Sequence, residues 1–284
     1  MRWTEAQKIL SVTLKPLCDA GEMREIIQRI AESVTGKSWM ALRLDAEVSV
    51  DETEIDRIVA ELQQETPIQY VLGAEWFGHL QLKVNSHVLI PRPETEELVR
   101  WIADDWRSSS ASPCRLIDIG TGSGCIPIWL KTQCPQLDVT AVDISKSALA
   151  VAEENARRYD AAIQFEYFDI LQDDATLPGL FDIIVSNPPY ITEAERSDMQ
   201  LRVLAHEPHE ALFVTDGDPL QFYKAILHFA HHNLSKDGAI YLELGSLHAE
   251  TVRDFFMQHY YDAELRKDMY GHFRMLKAVK KILP

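Results

Sequence analysis

The sequence predicts an α/β domain built on a mixed seven-stranded sheet and preceded by a small all-helical bundle. Apolar residues recur at helical spacing before residue 76, strand and helix patterns alternate after residue 90, and the last two strand candidates have no helix between them. Alternation indicates parallel strands covered by helices on both faces, whereas the last pair predicts antiparallel strands at one edge. We expect the helical bundle over residues 1–75, a β-hairpin linker over 76–90 and the α/β domain over 91–284.

The first segment has the pattern of amphipathic helices. Capping boxes are expected at Thr4 and at Asp51, because Gln or Glu follows each of them three residues later. From Ile55 to Leu62, apolar residues recur at i, i+3, i+4 and i+7, which gives the helix one apolar face. Similar patterns cover residues 23–34 and 39–44. No chemistry is visible here, so we expect a bundle that packs on the next domain or binds a partner.

The linker and the start of the α/β domain have different patterns. Residues 76–84 alternate between apolar and polar side chains, which predicts a short hairpin. The string from Leu89 to Glu96 then opens a helix, since Pro93 suits a first helical turn and the acids after it favour the positive end of the helix dipole. Strands are expected near residues 115–119, 138–143, 163–168, 181–186, 238–244, 262–267 and 273–280.

A glycine-rich turn follows the first strand of the α/β domain. It consists of Gly120, Thr121, Gly122, Ser123 and Gly124. Glycines let a backbone turn sharply and come close to a ligand. The dinucleotide fingerprint is excluded because Cys125 stands where its third glycine belongs, and a P-loop is excluded because no Gly-Lys-Ser/Thr follows. The spacing Asp-x-Gly-x-Gly-x-Gly resembles motif one of class I S-adenosylmethionine methyltransferases, which implies a Rossmann-like fold and S-adenosyl-L-methionine as cofactor.

Carboxylates are expected to complete this cofactor site. Asp143 closes the second strand, where a carboxylate can hold both ribose hydroxyls; capping the next helix is its alternative role. After the third strand, Asp169 offers a carboxylate for the adenine amino group, with a plain loop acid as its alternative, and Ile170 offers an apolar side chain for the ring. Asp118 either points at the methionyl amino group or braces the turn, and both roles stay open.

The most informative stretch is Asn187-Pro188-Pro189-Tyr190, which directly follows the apolar run 181–186. Two consecutive prolines force the chain out of the sheet, because neither ring nitrogen can donate to a ladder. The Asn187 side-chain oxygen and the Pro188 carbonyl can both accept hydrogen bonds from one planar NH2 group. We expect these four residues to bind the substrate and act in methylation of an amide or an exocyclic amine, with Asn187 beside the cofactor and Tyr190 stacked on the amide plane. A plain proline-rich loop is the alternative.

Bulk composition narrows the function classes. The formal net charge is −16 and no Lys/Arg cluster is visible, so a protein or small-molecule substrate is favoured over a long nucleic acid. The four cysteines lack a Cys-x-x-Cys pair, and the histidines lack a third ligand at recognisable spacing, so no metal site is expected. No apolar run approaches the roughly 20 residues of a membrane span, and a signal-peptide core is missing. We expect a cytoplasmic protein.

Together the motifs resemble the HemK/PrmC family, the protein-(glutamine-N5) methyltransferases that act on peptide chain release factors. The resemblance covers most of the chain, and its most specific part is the Ile-Pro-Arg-Pro-Glu-Thr-Glu string that ends at Glu96. Two departures are visible: Ile170 stands where an aromatic residue is frequent, and no glutamine follows soon after Gly245. Further matching segments are Pro67–Gly73 with Phe77, Gly120–Gly124, Asp143, Asn187–Tyr190, Glu207-Pro208 with Ala211-Leu212, and Lys267-Asp268 with Gly271 and Arg274.

The resemblance implies methyl transfer from S-adenosyl-L-methionine, with S-adenosyl-L-homocysteine as product, to the glutamine of the Gly-Gly-Gln loop in class I release factors. It also implies that residues 1–75 help to recognise the release factor and that 91–284 form the catalytic domain. One rival is a nucleic-acid methyltransferase acting on adenine N6 or guanine N2, which would need a basic channel; another is a cofactor-binding scaffold without catalysis. Arg92, Glu94, Glu96 and Glu97 either shape the pocket or cap their helix, and structural use is favoured for the last two.

Overall fold

The computed structural model describes residues 1–44, 47–107, 114–172, 175–214 and 217–281. Its contacts divide the chain into two compact units. One consists of Met1–Ala74 together with Gln200–His206, and the other consists of Glu75–Met199 and Glu207–Pro284. Nothing in the sequence signals that a short segment from the second half of the chain belongs to the helical unit.

In chain order the elements are α1 (Trp3–Leu14), α2 (Ala20–Thr35), α3 (Trp39–Leu44), α4 (Glu52–Gln63), α5 (Ile68–Leu72), β1 (Ala74–Phe77), β2 (Leu80–Lys83), α6 (Pro93–Arg107), β3 (Arg115–Ile119), α7 (Cys125–Gln133), β4 (Asp138–Asp143), α8 (Lys146–Arg158), β5 (Ile163–Tyr167), β6 (Phe181–Ser186), α9 (Leu201–His206), α10 (Gln221–Asn233), β7 (Leu234–Glu243), α11 (Ala249–Gln258), β8 (Tyr261–Lys267) and β9 (Phe273–Lys280). Short 3-10 turns lie at Glu193–Asp198, His209–Ala211 and Ser246–His248. Within the described ranges, no helix combines the length and the apolar character needed to cross a membrane.

The capping prediction for α1 was wrong. Thr4 lies inside the helix, and Arg2 is the N-cap, with its backbone N–H donating to Glu5 Oε2 at 3.0 Å. The helix begins earlier because Trp3 is buried and its backbone N–H donates to the Val48 carbonyl at 2.8 Å. A tertiary contact therefore decides this boundary rather than the local cap signal.

The start of α4 was predicted correctly. Asp51 is its N-cap, and the Asp51 Oδ1 atom accepts from the Thr53 backbone N–H at 2.9 Å. The reciprocal half of the expected box is replaced by an ion pair, since Glu54 binds Arg57 at 2.7 Å one turn later. A carboxylate facing a guanidinium gains a bidentate ion pair, which a single backbone amide does not offer.

The large sheet of the second unit has the strand order β5-β4-β3-β6-β7-β9-β8. The first five strands in this order run parallel, while β9 is antiparallel to both of its neighbours. This confirms the predicted mixed seven-stranded sheet and the antiparallel pair at one edge. β1 and β2 form a separate two-stranded sheet, as the alternating pattern predicts. From β3 the strand order continues to β4 on one side and to β6 on the other, which makes the carboxyl ends of these strands the topological switch point where α/β sheets bind ligands.

Alternate side chains of the strands fill two hydrophobic cores, one on each face of the sheet. On β3, Leu116 belongs to the core that includes Leu98 of α6 and Ile128 of α7. Its neighbour Ile117 belongs to the core that includes Ile226 of α10. The period of two along a strand thus places one helical layer on each face and leaves the strand ends for the site.

Candidate active site

A cavity of about 250 Å³ lies at the carboxyl ends of β3, β4 and β6. The structure brings most of the predicted site residues into its lining. These are Gly120, Thr121, Gly122, Ser123, Asp143, Asp169, Ile170, Asn187, Pro188 and Pro189. Asp118, Gly124 and Tyr190 do not contribute to the lining, and each has a different structural setting.

The three glycines of the turn have different roles. Gly120, Gly122 and Gly124 have φ angles of +76°, +53° and +79°, which L side chains rarely adopt. A Cβ atom at either of the first two positions would meet nothing within 4 Å, so the backbone there borders open space. At Gly124 a Cβ would lie 2.9 Å from Ile128 and 3.1 Å from Ala152, so this glycine allows α7 and α8 to pack closely.

Asp143 connects the end of β4 to the glycine-rich turn. Its Oδ2 accepts from the Gly122 N–H at 2.8 Å, and its Oδ1 accepts from the Ser145 N–H at 2.8 Å. Burial raises the pKa of Asp143, and these two bonds oppose the rise. The helix-cap alternative does not hold, because the N-cap of α8 is Ser145, whose hydroxyl accepts from Ala148 N–H. Each carboxylate oxygen has a second lone pair that can accept from ligand hydroxyls.

Asp118 lies below the turn on β3 and is fully buried. Burial raises its pKa to about 7; the Thr121 hydroxyl opposes the rise, and the charge of Asp143 adds to it. Neither Asp118 oxygen, nor the Thr121 hydroxyl, meets hydrogen-bond geometry with any part of the chain that the structure describes. Buried polar atoms are ordinarily paired, so this cluster marks a place where a polar or cationic ligand group would act.

The segment after β5 supplies two apolar side chains and one carboxylate to the cavity lining. Phe168, Asp169 and Ile170 all line the cavity. Asp169 Oδ1 accepts from the Leu171 N–H at 2.9 Å, which holds the turn. Phe168 packs edge-on against Phe229 of α10, with 5.7 Å between ring centroids. An aromatic side chain therefore lies in the cavity lining two residues before Ile170, the position at which the HemK/PrmC pattern frequently has an aromatic residue.

The Asn-Pro-Pro corner begins where β6 ends. Ser186 is the last strand residue, and its hydroxyl donates to the Ile119 carbonyl at 2.6 Å, joining the ends of β6 and β3. The side-chain Nδ2 of Asn187 lies 3.4 Å from the Thr95 Oγ1 atom. Thr95 is on the first turn of α6 and also lines the cavity. The corner is therefore supported by both the sheet and the helix before it.

Tyr190 lies behind the corner rather than in the cavity wall, which differs from the predicted stacking on a substrate amide. Its ring packs against Gly245, where a Cβ atom would be only 3.0 Å from Tyr190 Cδ2. Burial raises the pKa of the Tyr190 hydroxyl well above its ordinary value. Because residue 245 has no side chain, the ring turns toward the core around α10 instead of toward the cavity.

One ion pair and several backbone hydrogen bonds hold the string before α6 and the start of that helix. Arg92 lines the cavity and pairs with Glu207 at 2.5 Å, and the second Glu207 oxygen accepts from the Ile90 N–H at 3.2 Å. Two glutamates of α6, for which structural use is predicted, accept from backbone amides of other segments and do not line the cavity. Glu96 accepts from the Gly78 N–H at 2.8 Å, and Glu97 accepts from the Met269 N–H at 2.9 Å.

Comparison with known proteins identifies the family. A family model described as the methyltransferase small domain matches residues 107–218. A release factor glutamine methyltransferase from Flavobacterium psychrophilum is 40% identical over 270 residues, which cover 93% of this chain and 94% of the relative. One from Lactococcus lactis is 37% identical over 98% of this chain and 100% of its own length.

The chain belongs to the release factor glutamine methyltransferase family. Among solved structures, a methyltransferase from Pyrococcus furiosus aligns with a TM-score of 0.53 at 18% identity, covering 72% of this chain and 91% of that one. This likeness shows the fold, which is that of class I methyltransferases. The fold class and family predicted from the sequence are thereby confirmed.

For this family member, several lining residues were not predicted from the sequence. Phe213 and Phe222 add aromatic surface to the cavity, and Thr95 contributes a hydroxyl. Thr95 Oγ1 in turn lies 2.5 Å from Oε2 of Glu243, the last residue of β7. The one sequence feature near Phe213 and Phe222 was the match of Glu207-Pro208 and Ala211-Leu212 to the family pattern. No signal pointed to Glu243.

Proposed function

We propose that this chain transfers a methyl group from S-adenosyl-L-methionine to N5 of the glutamine in the Gly-Gly-Gln motif of class I peptide chain release factors, and so modulates translation termination. One observation carries this function: a single cavity is lined by the glycine-rich turn, by Asp143 and by the Asn187–Pro189 corner. The names of the relatives that align along the chain support the choice of substrate.

The residues around the turn fit S-adenosyl-L-methionine, which when bound supplies an electrophilic methyl group on a sulfonium. Asp143 would accept from the ribose hydroxyls through its remaining lone pairs. Asp169 and Ile170, with Phe168, would hold the adenine. The open space at Gly120 and at Gly122 leaves room for the ligand to approach the backbone.

Asp118 would act on the methionyl amino group through its charge. A buried carboxylate without hydrogen-bond partners is unfavourable when ionised, unless a cation lies nearby. A positive amino group beside Thr121 would therefore favour the ionised form of Asp118. Ligand affinity and the protonation of this carboxyl would then be linked.

The Asn-Pro-Pro corner would prepare the target amide. An amide nitrogen is a poor nucleophile, because its lone pair is delocalised into the carbonyl. Asn187 Oδ1 and the Pro188 carbonyl would accept the two protons of the NH2 group, orient the nitrogen and stabilise positive charge as it develops there. Pro189 would fix the backbone so that the preceding carbonyl faces the cavity, and Tyr190 would support the corner from behind.

The helical unit would recognise the release factor. Its surface exposes large apolar side chains, among them Val12 at 75%, Met40 at 73% and Leu44 at 86%. Met40 and Leu44 lie on α3. Apolar surface of this kind suits a protein partner, whereas nucleic acid would require exposed basic residues.

Methyl transfer to nucleic acid is the second candidate, since an Asn-Pro-Pro-Tyr corner also suits adenine N6 or guanine N2. The net charge of −16 and the names of the relatives favour the protein substrate. The test is incubation with labelled S-adenosyl-L-methionine and, in separate reactions, a class I release factor, tRNA and duplex DNA. We expect label only on the release factor, at the Gly-Gly-Gln glutamine by peptide mass spectrometry. Label on tRNA or DNA, or on another residue of the factor, would overturn the function.

A further inference from the structure

Thr95, Asn187 and Glu243 form a short hydrogen-bonded chain at the cavity. Thr95 and Glu243 are almost completely buried, with relative exposures of 2% each. The Thr95 hydroxyl is 2.5 Å from Glu243 Oε2 and 3.4 Å from Asn187 Nδ2. These residues are far apart in sequence, but all three lie on regular elements or directly after one.

Thr95 has a single hydroxyl proton, and the geometry decides where it goes. An ionised carboxylate can only accept, so Thr95 must donate its proton to Glu243. The hydroxyl oxygen then has only lone pairs to offer Asn187. The Asn187 amide can satisfy it only by presenting its NH2 group, which leaves the Oδ1 atom for the cavity.

We infer that Thr95 and Glu243 are positioning residues that hold the Asn187 side chain with its oxygen, and not its NH2 group, toward the substrate. This rests on the proposed methylation of a planar NH2 group. A flipped Asn187 would place two donors face to face, and the target nitrogen would lose one of its two acceptors. The pair acts through Asn187 and does not touch the substrate amide.

Both members of the pair are held by their own elements. Thr95 belongs to the first turn of α6, where its N–H donates to the Arg92 carbonyl at 3.1 Å. Glu243 pairs with Met275 in the β7–β9 ladder, and Tyr223 of α10 donates its hydroxyl to the Glu243 carbonyl at 3.3 Å. Residues fixed in this way can hold a partner's orientation more strictly than loop residues can.

The arrangement depends on the charge of Glu243. Burial raises its pKa to about 7, while the Thr95 hydroxyl and Arg274 oppose the rise. The titratable and charged groups that act on it are Arg92 just before α6, Glu94 of α6, Cys125 of α7, Tyr190, Tyr223 of α10 and Arg274 of β9. Once protonated, Glu243 can donate to Thr95, whose proton is then released to bind Asn187 Oδ1. The amide is no longer held in one orientation.

The test compares Thr95→Val, Thr95→Ser and Glu243→Gln with the wild-type enzyme, using a class I release factor and saturating S-adenosyl-L-methionine. Losing one oriented hydrogen bond should lower kcat of Thr95→Val by ~10-fold or more, and Thr95→Ser should recover most of that loss. Glu243→Gln, whose amide can donate or accept, should lower kcat, and the fall in kcat that we expect for the wild type below about pH 7 should be absent from this variant. Affinity for S-adenosyl-L-homocysteine should be unchanged in all three by calorimetry.

Thr132→Val is the matched control, because this threonine of α7 bonds the Trp129 carbonyl within its own helix at 2.8 Å and does not line the cavity. It should behave as wild type. A second measurement is independent of turnover: hydrogen exchange of the Asn187 side-chain NH2, followed by NMR on asparagine-labelled protein. Exchange should be slow in the wild type and in Thr95→Ser, and fast in Thr95→Val and Glu243→Gln.

The outcomes separate the two hypotheses. A wild-type enzyme that leaves the release factor unlabelled defeats the proposed function, and the exchange of the Asn187 NH2 then decides the positioning role alone. Equal kcat in Thr95→Val and wild type, or equal exchange in both, overturns the positioning role even if the release factor is methylated. If circular dichroism shows that Thr95→Val does not fold, kcat and Asn187 NH2 exchange are measured on Glu243→Gln instead. Wild-type values of either quantity in that variant would overturn the positioning role.

Discussion

The Asp143 carboxylate accepts a hydrogen bond from the Gly122 backbone N–H at 2.8 Å, which joins the end of β4 to the turn after β3. Removing this carboxylate in Asp143→Ala frees the turn and removes the acceptor proposed for the ribose. Affinity for S-adenosyl-L-homocysteine should fall at least ~10-fold, the effect of losing about 1.4 kcal/mol. Calorimetry measures this directly. Asp138→Ala, at the exposed start of the same strand, is the control and should bind as wild type; unchanged affinity in Asp143→Ala would remove Asp143 from the site.

Asn187→Ala should separate chemistry from cofactor binding. It removes one of the two acceptors proposed for the target NH2 group, and one lost charge-stabilising contact raises a barrier by ~2.7–4 kcal/mol, a fall in kcat of about 10²-fold or more. Calorimetry with S-adenosyl-L-homocysteine should show nearly wild-type affinity. Asn155→Ala is a poor control because this buried amide bridges Lys83 and Ser123. Asn85→Ala, on the turn after β2, is better. A kcat near wild type in Asn187→Ala would contradict the proposed role.

Local sequence patterns were sufficient to predict most of the fold and the strand ends that border the cavity. The strands ending at Ile119, Asp143 and Ser186 are short apolar runs, and each precedes a residue type that belongs at the carboxyl end of a parallel strand. Because those ends meet at one edge, sequence spacing predicted many of the residues that share the cavity, although Asp118, Gly124 and Tyr190 lie outside its lining. The glycine turn and the Asn-Pro-Pro corner were predicted for the same reason.

Contacts between distant segments were not predicted. Thr95 and Glu243 are separated by 148 positions, and no periodicity relates a helix start to the end of β7. The orientation of Tyr190 depends on the missing side chain at Gly245, which is also remote in sequence. The ion pair between Arg202 and Glu22 holds α9 in the helical unit, and it joins residues that no local pattern connects.

The buried carboxyl of Asp118 predicts a stability difference that grows with pH. Its pKa is raised to about 7 in the folded protein, so its contribution to stability is present below the ordinary pKa of an aspartate and is lost as the pH rises through about 7. Asp118→Asn cannot ionise and avoids this loss. In thermal unfolding of the ligand-free proteins, the Tm of Asp118→Asn relative to that of the wild type should increase between pH 5 and pH 8. The increase should reach several degrees at pH 8. A Tm difference that does not change with pH would show that Asp118 keeps an ordinary pKa.

Gly124→Ala should destabilise the unit that contains the large sheet by more than the strain of its positive φ alone. The new methyl group would lie 2.9 Å from Ile128 and 3.1 Å from Ala152, so α7 and α8 must separate. Such overpacking costs ~1–3 kcal/mol beyond the backbone strain. Gly271→Ala is matched to it, because its φ of +87° is as unfavourable but a Cβ there meets nothing within 4 Å. The urea midpoint of unfolding should be lower for Gly124→Ala than for Gly271→Ala. Equal midpoints would show that α7 and α8 separate without loss of stability.

Gly245→Ala should slow methyl transfer without weakening cofactor binding. The φ of Gly245 is −66°, so alanine fits the backbone, and the only disturbance is the new methyl group 3.0 Å from Tyr190 Cδ2. The ring must move, and it lies directly after the corner that carries Asn187 and Pro188. A shift of a few tenths of an ångström there should lower kcat several-fold, because orientation of the target amide depends on that corner. Ser246→Ala, at the next position, adds no atoms and serves as control. If Gly245→Ala kept the wild-type kcat, Tyr190 would have no part in supporting the corner, and its burial would reflect core packing alone.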